Sequence, residues 1–147
     1  MAQSEVKYLG RLPGAGDTLA VKNLRQTVTI HATPHAVYTT IVDAKEHAKF
    51  SGAAAHIVAR PGGRFAYYDR SLVGFVLHLE NDRRIVLAWR STGWPEGHYS
   101  IADFVLSKVA GGTRLEFSQF GIPAADFSDI SEGWRQYYWA PLKMYLE

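Results

Sequence analysis

The sequence predicts an α+β domain in which one curled antiparallel sheet of about seven strands grips a long C-terminal helix. Two observations predict it. Between residues 54 and 120, short runs with a two-residue apolar period alternate with Gly, Asn and Asp turns, whereas helical spacing occurs only just after residue 33 and again after residue 129. Strands joined by such short turns must be mostly antiparallel, and an apolar sheet face with one long helix to cover it must curl around that helix.

The elements follow in order. Residues 1–24 contain the segment GRLPGAGD, which supports neither helix nor strand, and they read as a poorly ordered arm ahead of a domain over residues 25–147. In residues 26–31, Val28 and Ile30 alternate with Thr27 and Thr29, the pattern of a half-buried strand. Thr33 followed by Pro34 is a helix start, since threonine caps free amides and proline suits the first helical position. The spacing of Val37, Ile41 and Val42 then predicts a helix over Pro34–Val42, and Asp43 opens a second short helix through residue 50.

Six further strands are predicted over residues 55–59, 64–68, 72–80, 84–90, 99–109 and 113–120. They are separated by the Pro61-Gly62-Gly63 turn, Asn81-Asp82, a loop at 93–97 and Gly111-Gly112. The final helix is expected to begin at Asp129, with Glu132 in capping-box spacing, and to carry Trp134, Tyr138, Leu142 and Tyr145 along one stripe. Pro141 lies inside it and removes the hydrogen bond to the carbonyl of Tyr137, so a kink or break is expected there.

Composition narrows the function classes. Cysteine is absent from the 147 residues, which removes disulfides, thiolate nucleophiles and sulfur-ligated zinc and fits a reducing compartment; the expected location is cytoplasmic. No apolar stretch approaches the roughly 18 residues of a membrane span, and the first residues lack the apolar core of a secretory signal. The net charge of +2 is accounted for by Lys7, Arg11, Lys22 and Arg25 against Glu5 and Asp17, so no basic stripe for nucleic acid follows Arg25.

Catalytic and metal motifs are also missing. There is no Gly-x-Ser-x-Gly elbow, and the close histidine pair His31 and His35 is separated by Pro34, so no metal or other cofactor is expected. Gly62-Gly63 opens a strand rather than a helix, which makes it a hairpin turn and not a phosphate loop.

Five blocks carry more specific information: Gly62-Gly63-Arg64-Phe65, Ile85-Val86-Leu87-Ala88-Trp89-Arg90, Trp94-Pro95-Glu96-Gly97-His98, Gly121-Ile122-Pro123 and Gly133-Trp134-Arg135-Gln136-Tyr137-Tyr138. Together with Gly74 they resemble, over about residues 26–146, the C-terminal domain of the heat-shock chaperone ATPase activators, of the helix-grip (START-like) kind. The resemblance implies that fold and a chaperone-associated role. The eukaryotic activators of that family also carry a separate N-terminal domain, which the residues before 26 here do not replace.

Two sets of candidate site residues follow. Strand alternation points Phe65, Tyr67, Ile85, Leu87, Trp89, Phe104, Leu106, Leu115 and Phe117 toward Trp134 and Tyr138. Helix-grip relatives often leave a ligand cavity there, and a small apolar or amphipathic ligand would be held by Tyr67, Val76, His78, Trp89, Phe104, Phe117, Trp134 and Tyr138. A solid core is the competing reading. His78, in register with Gly74 and Val76, is the candidate acid or base of an alternative: an enzyme resembling the aromatic polyketide cyclases.

The second set is on the other side of the sheet. Val73, Phe75, Leu77, Ile101 and Val105 make that face too apolar for solvent and mark it for a homodimer or a protein partner. The arm, with Tyr8, Leu9 and Leu19, is another candidate to cover it.

Overall fold

A computed structural model describes residues 19–147. Helix formation begins where the capping chemistry dictates. The Thr33 hydroxyl accepts from the amide of Ala36 at 3.1 Å and starts α1 (Pro34–Val42), and the Asp43 carboxylate accepts from the amide of Glu46 at 3.0 Å and starts α2 (Ala44–Ser51). Seven strands surround this pair: β1 (Val21–Ile30) before it, then β2 (His56–Ile57), β3 (Arg64–Tyr67), β4 (Leu72–Glu80), β5 (Arg84–Ser91), β6 (Ser100–Val109) and β7 (Gly112–Pro123). All pairings are antiparallel, in the order β1-β7-β6-β5-β4-β3-β2.

The chain after β7 is one continuous helical run with three geometries: a 3₁₀ turn (Ala124–Asp126) and α3 (Phe127–Gly133), a π-helical segment (Trp134–Trp139), and α4 (Ala140–Leu146). The sheet curls around it as the sequence predicts. The residues expected to point inward from the strands, from Phe65 to Phe117, are all buried.

Several boundaries differ from the sequence reading. β1 begins at Val21 rather than residue 26, because Leu24 is buried and the strand pairs with β7 as far back as Val21↔Pro123. The predicted arm therefore loses residues 21–24 to the sheet. Tyr8 and Leu9 lie outside the described residues, and Leu19 is exposed. The last helix starts before Asp129, so the Asp129–Glu132 capping box does not form; Asp129 stands instead in the first turn of α3, where a carboxylate suits the helix dipole.

Pro141 does not break the helix. The turn before it widens to the π form, in which the Ala140 amide reaches back five residues to the carbonyl of Arg135. The Tyr137 carbonyl, which residue 141 cannot serve, accepts a hydrogen bond from the Tyr68 hydroxyl at 2.6 Å. The wide turn also aligns residues five apart: Trp134 and Trp139 are both buried and stack at 5.2 Å with 22° between their planes.

Candidate binding cleft and outer sheet face

The centre of the grip is solid. Phe104 and Phe117 from β6 and β7 pack against Trp134, Tyr138 and Trp139 with ring centroids 4.4–6.3 Å apart, which is ordinary aromatic packing. Each indole N–H that this burial removes from water has a glutamine waiting on a strand. Trp134 Nε1 donates to Gln119 Oε1 at 2.7 Å, Gln119 Nε2 donates to the Ser100 hydroxyl at 2.9 Å, and that hydroxyl donates to the Trp89 carbonyl at 2.8 Å. Trp139 Nε1 donates to Gln26 Oε1 at 2.6 Å, while Gln26 Nε2 donates to the Ser131 carbonyl. These two clamps tie the helix to β7 and β1, and leave no polar atom in them unpaired.

Open space lies beside this packed centre: one cavity of about 470 Å³ is lined by Ile57, Arg64, Arg70, Val73, Phe75 and Tyr99, and a second adjoins the C-terminal helix. The second, a cleft of about 440 Å³, runs between α3 with the π segment on one side and the β3–β4 turn on the other, walled by Tyr68, Trp89, Trp134, Tyr137 and Tyr138. Leu72, Ile130 and Gly133 complete its apolar floor, and Asp129 stands at its rim. Tyr68 is held there by unusual backbone. It opens three successive non-glycine residues in the left-handed region, with φ of 52°, 55° and 71° at Tyr68, Asp69 and Arg70, a conformation with an energetic cost. Burial raises the Tyr68 phenol to about 12, so it stays a hydrogen-bond donor to Tyr137.

Of the predicted cavity residues, Trp89, Trp134 and Tyr138 border this cleft. Tyr67, Val76, Phe104 and Phe117 are in the packed interior. His78 is not inside at all. A β-bulge at Leu77 shifts the β4–β5 register so that Val76 pairs with Leu87 but His78 pairs with Val86, which turns His78 outward and sends Leu79 toward the core in its place. The His78 side chain is 52% exposed and its Nε2 lies 3.0 Å from Glu80 Oε2. The two-residue period alone could not show this inserted residue.

The buried histidine is His47, for which sequence periodicity gave no signal beyond membership of a short helix. Its ring stacks on Tyr67 at 3.8 Å and 6°, its Nε2 lies 3.2 Å from the Tyr138 hydroxyl oxygen, and its Nδ1 has no protein partner. Desolvation pushes it down to about 3, so the imidazole is neutral at physiological pH. Burial likewise pushes the Tyr67 and Tyr138 phenols up. Among the described residues there is no group of three His, Asp or Glu placed to hold a metal ion, and no helix long and apolar enough to cross a membrane.

On the opposite face, β pairing lines up Phe75, Ala88, Ile101 and Phe120 in one row across β4, β5, β6 and β7. Tyr99 packs beside Phe75 at 6.0 Å, and Val73 and Val105 are half-buried nearby. Leu77 and Ile101 are exposed, at 46% and 37%. Arg64 and Arg90 stack over Phe75 and Tyr99 at 5.5 and 5.8 Å, covering part of the aromatic surface with cations. The WPEGH block has a structural role here, because Arg90 donates to the carbonyls of Trp94, Pro95 and His98 and so shapes the loop.

The sequence profile described as activator of Hsp90 ATPase homolog 1-like protein matches residues 31–147. The chain belongs to this family. The human activator of 90 kDa heat shock protein ATPase homolog 1 is 30% identical over 115 residues, which is 78% of this chain but 34% of that protein. An uncharacterized protein of Schizosaccharomyces pombe is 29% identical over 121 residues, 82% of this chain and 36% of its own length. The chain thus spans about a third of the curated relatives it matches.

Among solved structures, an HSP90 activator from Plasmodium falciparum superposes with a TM-score of 0.79 at 21% identity, covering 85% of this chain and 95% of the other. The solution structure of the Aha1 dimer from Colwellia psychrerythraea gives 0.71 at 16% identity, covering 86% and 96%. At these identities the superpositions establish a shared fold.

Proposed function

We propose that this domain is a non-enzymatic binding module that associates with a chaperone of the 90 kDa heat shock class through the outer face of its sheet. The observation that carries the proposal is the row Phe75, Ala88, Ile101 and Phe120, flanked by Tyr99 and Leu77. A solvated antiparallel face alternates with polar residues, and a contiguous apolar patch on a soluble domain usually marks an interface. Membership of the activator-homolog family supplies the class of partner.

Isothermal titration of the purified chain against the 90 kDa heat shock protein of the same organism tests this, together with the chaperone's ATPase rate. Wild type should bind, and Phe75→Glu should weaken binding at least tenfold while keeping its melting temperature. Equal binding by both proteins, or none by either, overturns the assignment. A second copy of the chain is the competing occupant of the same apolar face. Light scattering separates the two: a concentration-dependent dimer that Phe75→Glu dissociates would give the face to self-association.

A second reading is favoured by the cleft, whose volume lies in the range of small-molecule sites. It assigns the cleft to a small apolar or amphipathic ligand. His78, the acid or base named for the polyketide cyclase-like alternative, is on the outer side of the sheet and does not line this cleft.

A further inference from the structure

The helix contains a glycine that the fold does not require. Gly133 has φ −59° and ψ −40°, ordinary right-handed helix that any residue adopts. A Cβ built on it would meet nothing within 4 Å. Glycine inside a helix is destabilising relative to alanine, and the two usual compensations are close approach of a neighbour and positive φ. Gly133 has neither. What it does have is a place on the wall of the cleft, where any side chain would occupy the open volume.

Two more features converge on the same opening. The π segment starts at the next residue and carries Trp134, Tyr137 and Tyr138, and such wide turns recur at functional sites. The left-handed run beginning at Tyr68 holds the opposite wall, and its hydroxyl fastens the two walls together through Tyr137. A helix glycine, a helix distortion and a costly turn are three local departures from regular structure that meet around one cavity, and the glycine among them has no packing benefit in the core.

The chemistry of the walls selects a ligand class. Five aromatic residues border the cleft, with Tyr137 the most exposed of them, the Asp129 carboxylate is the sole formal charge on the lining, and no Lys, Arg or His borders it. Aromatic faces and a carboxylate attract a cation and disfavour an anion. Resting on the reading of the cleft as a ligand site, we propose that it binds a flat aromatic organic cation, the rings lying along the aromatic walls and the positive centre toward Asp129.

The test titrates the full chain with three fluorescent probes of similar shape: berberine, a flat cation; N-phenyl-1-naphthylamine, neutral; and 8-anilino-1-naphthalenesulfonate, an anion. Berberine should saturate and quench tryptophan fluorescence, the neutral probe should bind more weakly, and the anion weakest. Gly133→Leu should weaken berberine at least tenfold with the melting temperature kept or raised, and Gly133→Ala is the milder variant should leucine disturb folding. Asp129→Asn should weaken berberine about three- to fivefold and leave the neutral probe unchanged. If no probe binds, or both Gly133 variants bind as wild type, the cleft is not a ligand site and the underlying reading falls with the proposal. If the Gly133 variants block every probe but the anion matches the cation and Asp129→Asn changes nothing, the ligand site stands and the cation is overturned.

Discussion

The two faces of this sheet use the same residue types to opposite ends. On the inner face Phe104, Phe117, Trp89 and Tyr67 are almost wholly removed from water, and the indoles they meet are paired with Gln119 and Gln26. On the outer face Phe75, Tyr99, Ile101 and Phe120 form a row that lacks a covering element among the described residues, softened by Arg64 and Arg90. Hydrophobicity therefore does not distinguish core from interface in this chain. What distinguishes them is that the inner aromatics meet a covering layer whose indole N–H groups are paired with glutamines, whereas no element among the described residues covers the outer row.

The comparison breaks most readily at the helix. Trp134→Ala should cost about 3–5 kcal/mol in chemical denaturation, since it removes a buried ring and strands the Gln119 carbonyl oxygen; a near-neutral result would mean that the inner face is no better packed than the outer. Truncating residues 1–24 comes next. Loss of the buried Leu24 and of the first β1–β7 pairs should cost about 2–4 kcal/mol, against an unchanged melting temperature if 25 were the true start of the folded domain.

A third test uses acidity. His47 is neutral in the folded chain down to about pH 3 but takes a proton near 6.5 when unfolded, so the unfolded state gains protons and stability falls as pH drops through that window. The slope is about 1.4 kcal/mol per pH unit, or about 2 kcal/mol between pH 6.5 and 5. His47→Phe should flatten the stability profile in that range, and a slope identical to wild type would show that the histidine is not buried. The smallest effect belongs to the outer face. Phe75→Glu should change stability by less than about 0.5 kcal/mol, and a loss of several kcal/mol in that variant would transfer Phe75 to the core.

How much of this was legible from the sequence depends on periodicity. The element order, the antiparallel sheet and the inward positions Phe65, Tyr67, Ile85, Leu87, Trp89, Phe104, Leu106, Leu115 and Phe117 follow from the alternation of apolar residues, because that period is what the pleat imposes. His78 was misplaced for the same reason: one bulged residue at Leu77 reverses the faces downstream, and no composition signal marks it. Trp139 falls off an α-helical stripe and is buried only because the turn before Pro141 is π-helical. Proline in a helix signals that something must yield, but not which turn. His47 and Gly133 are single residues whose meaning comes from neighbours distant in sequence, Tyr67 and Tyr138 for one and empty space for the other.

The pairing of β1 with β7 also sets an order of events. Ile30 finds its partner at Thr113 and Val21 at Pro123, so the first strand made must wait for the last, and the Trp139–Gln26 clamp forms only after residue 139 has joined the chain. During synthesis at roughly 5–20 residues per second the inner face of β1 stays open for several seconds. Topologies dominated by such distant contacts fold slowly, in milliseconds to seconds. The newborn chain thus leaves both sides of β1 open to solvent until β7 has emerged.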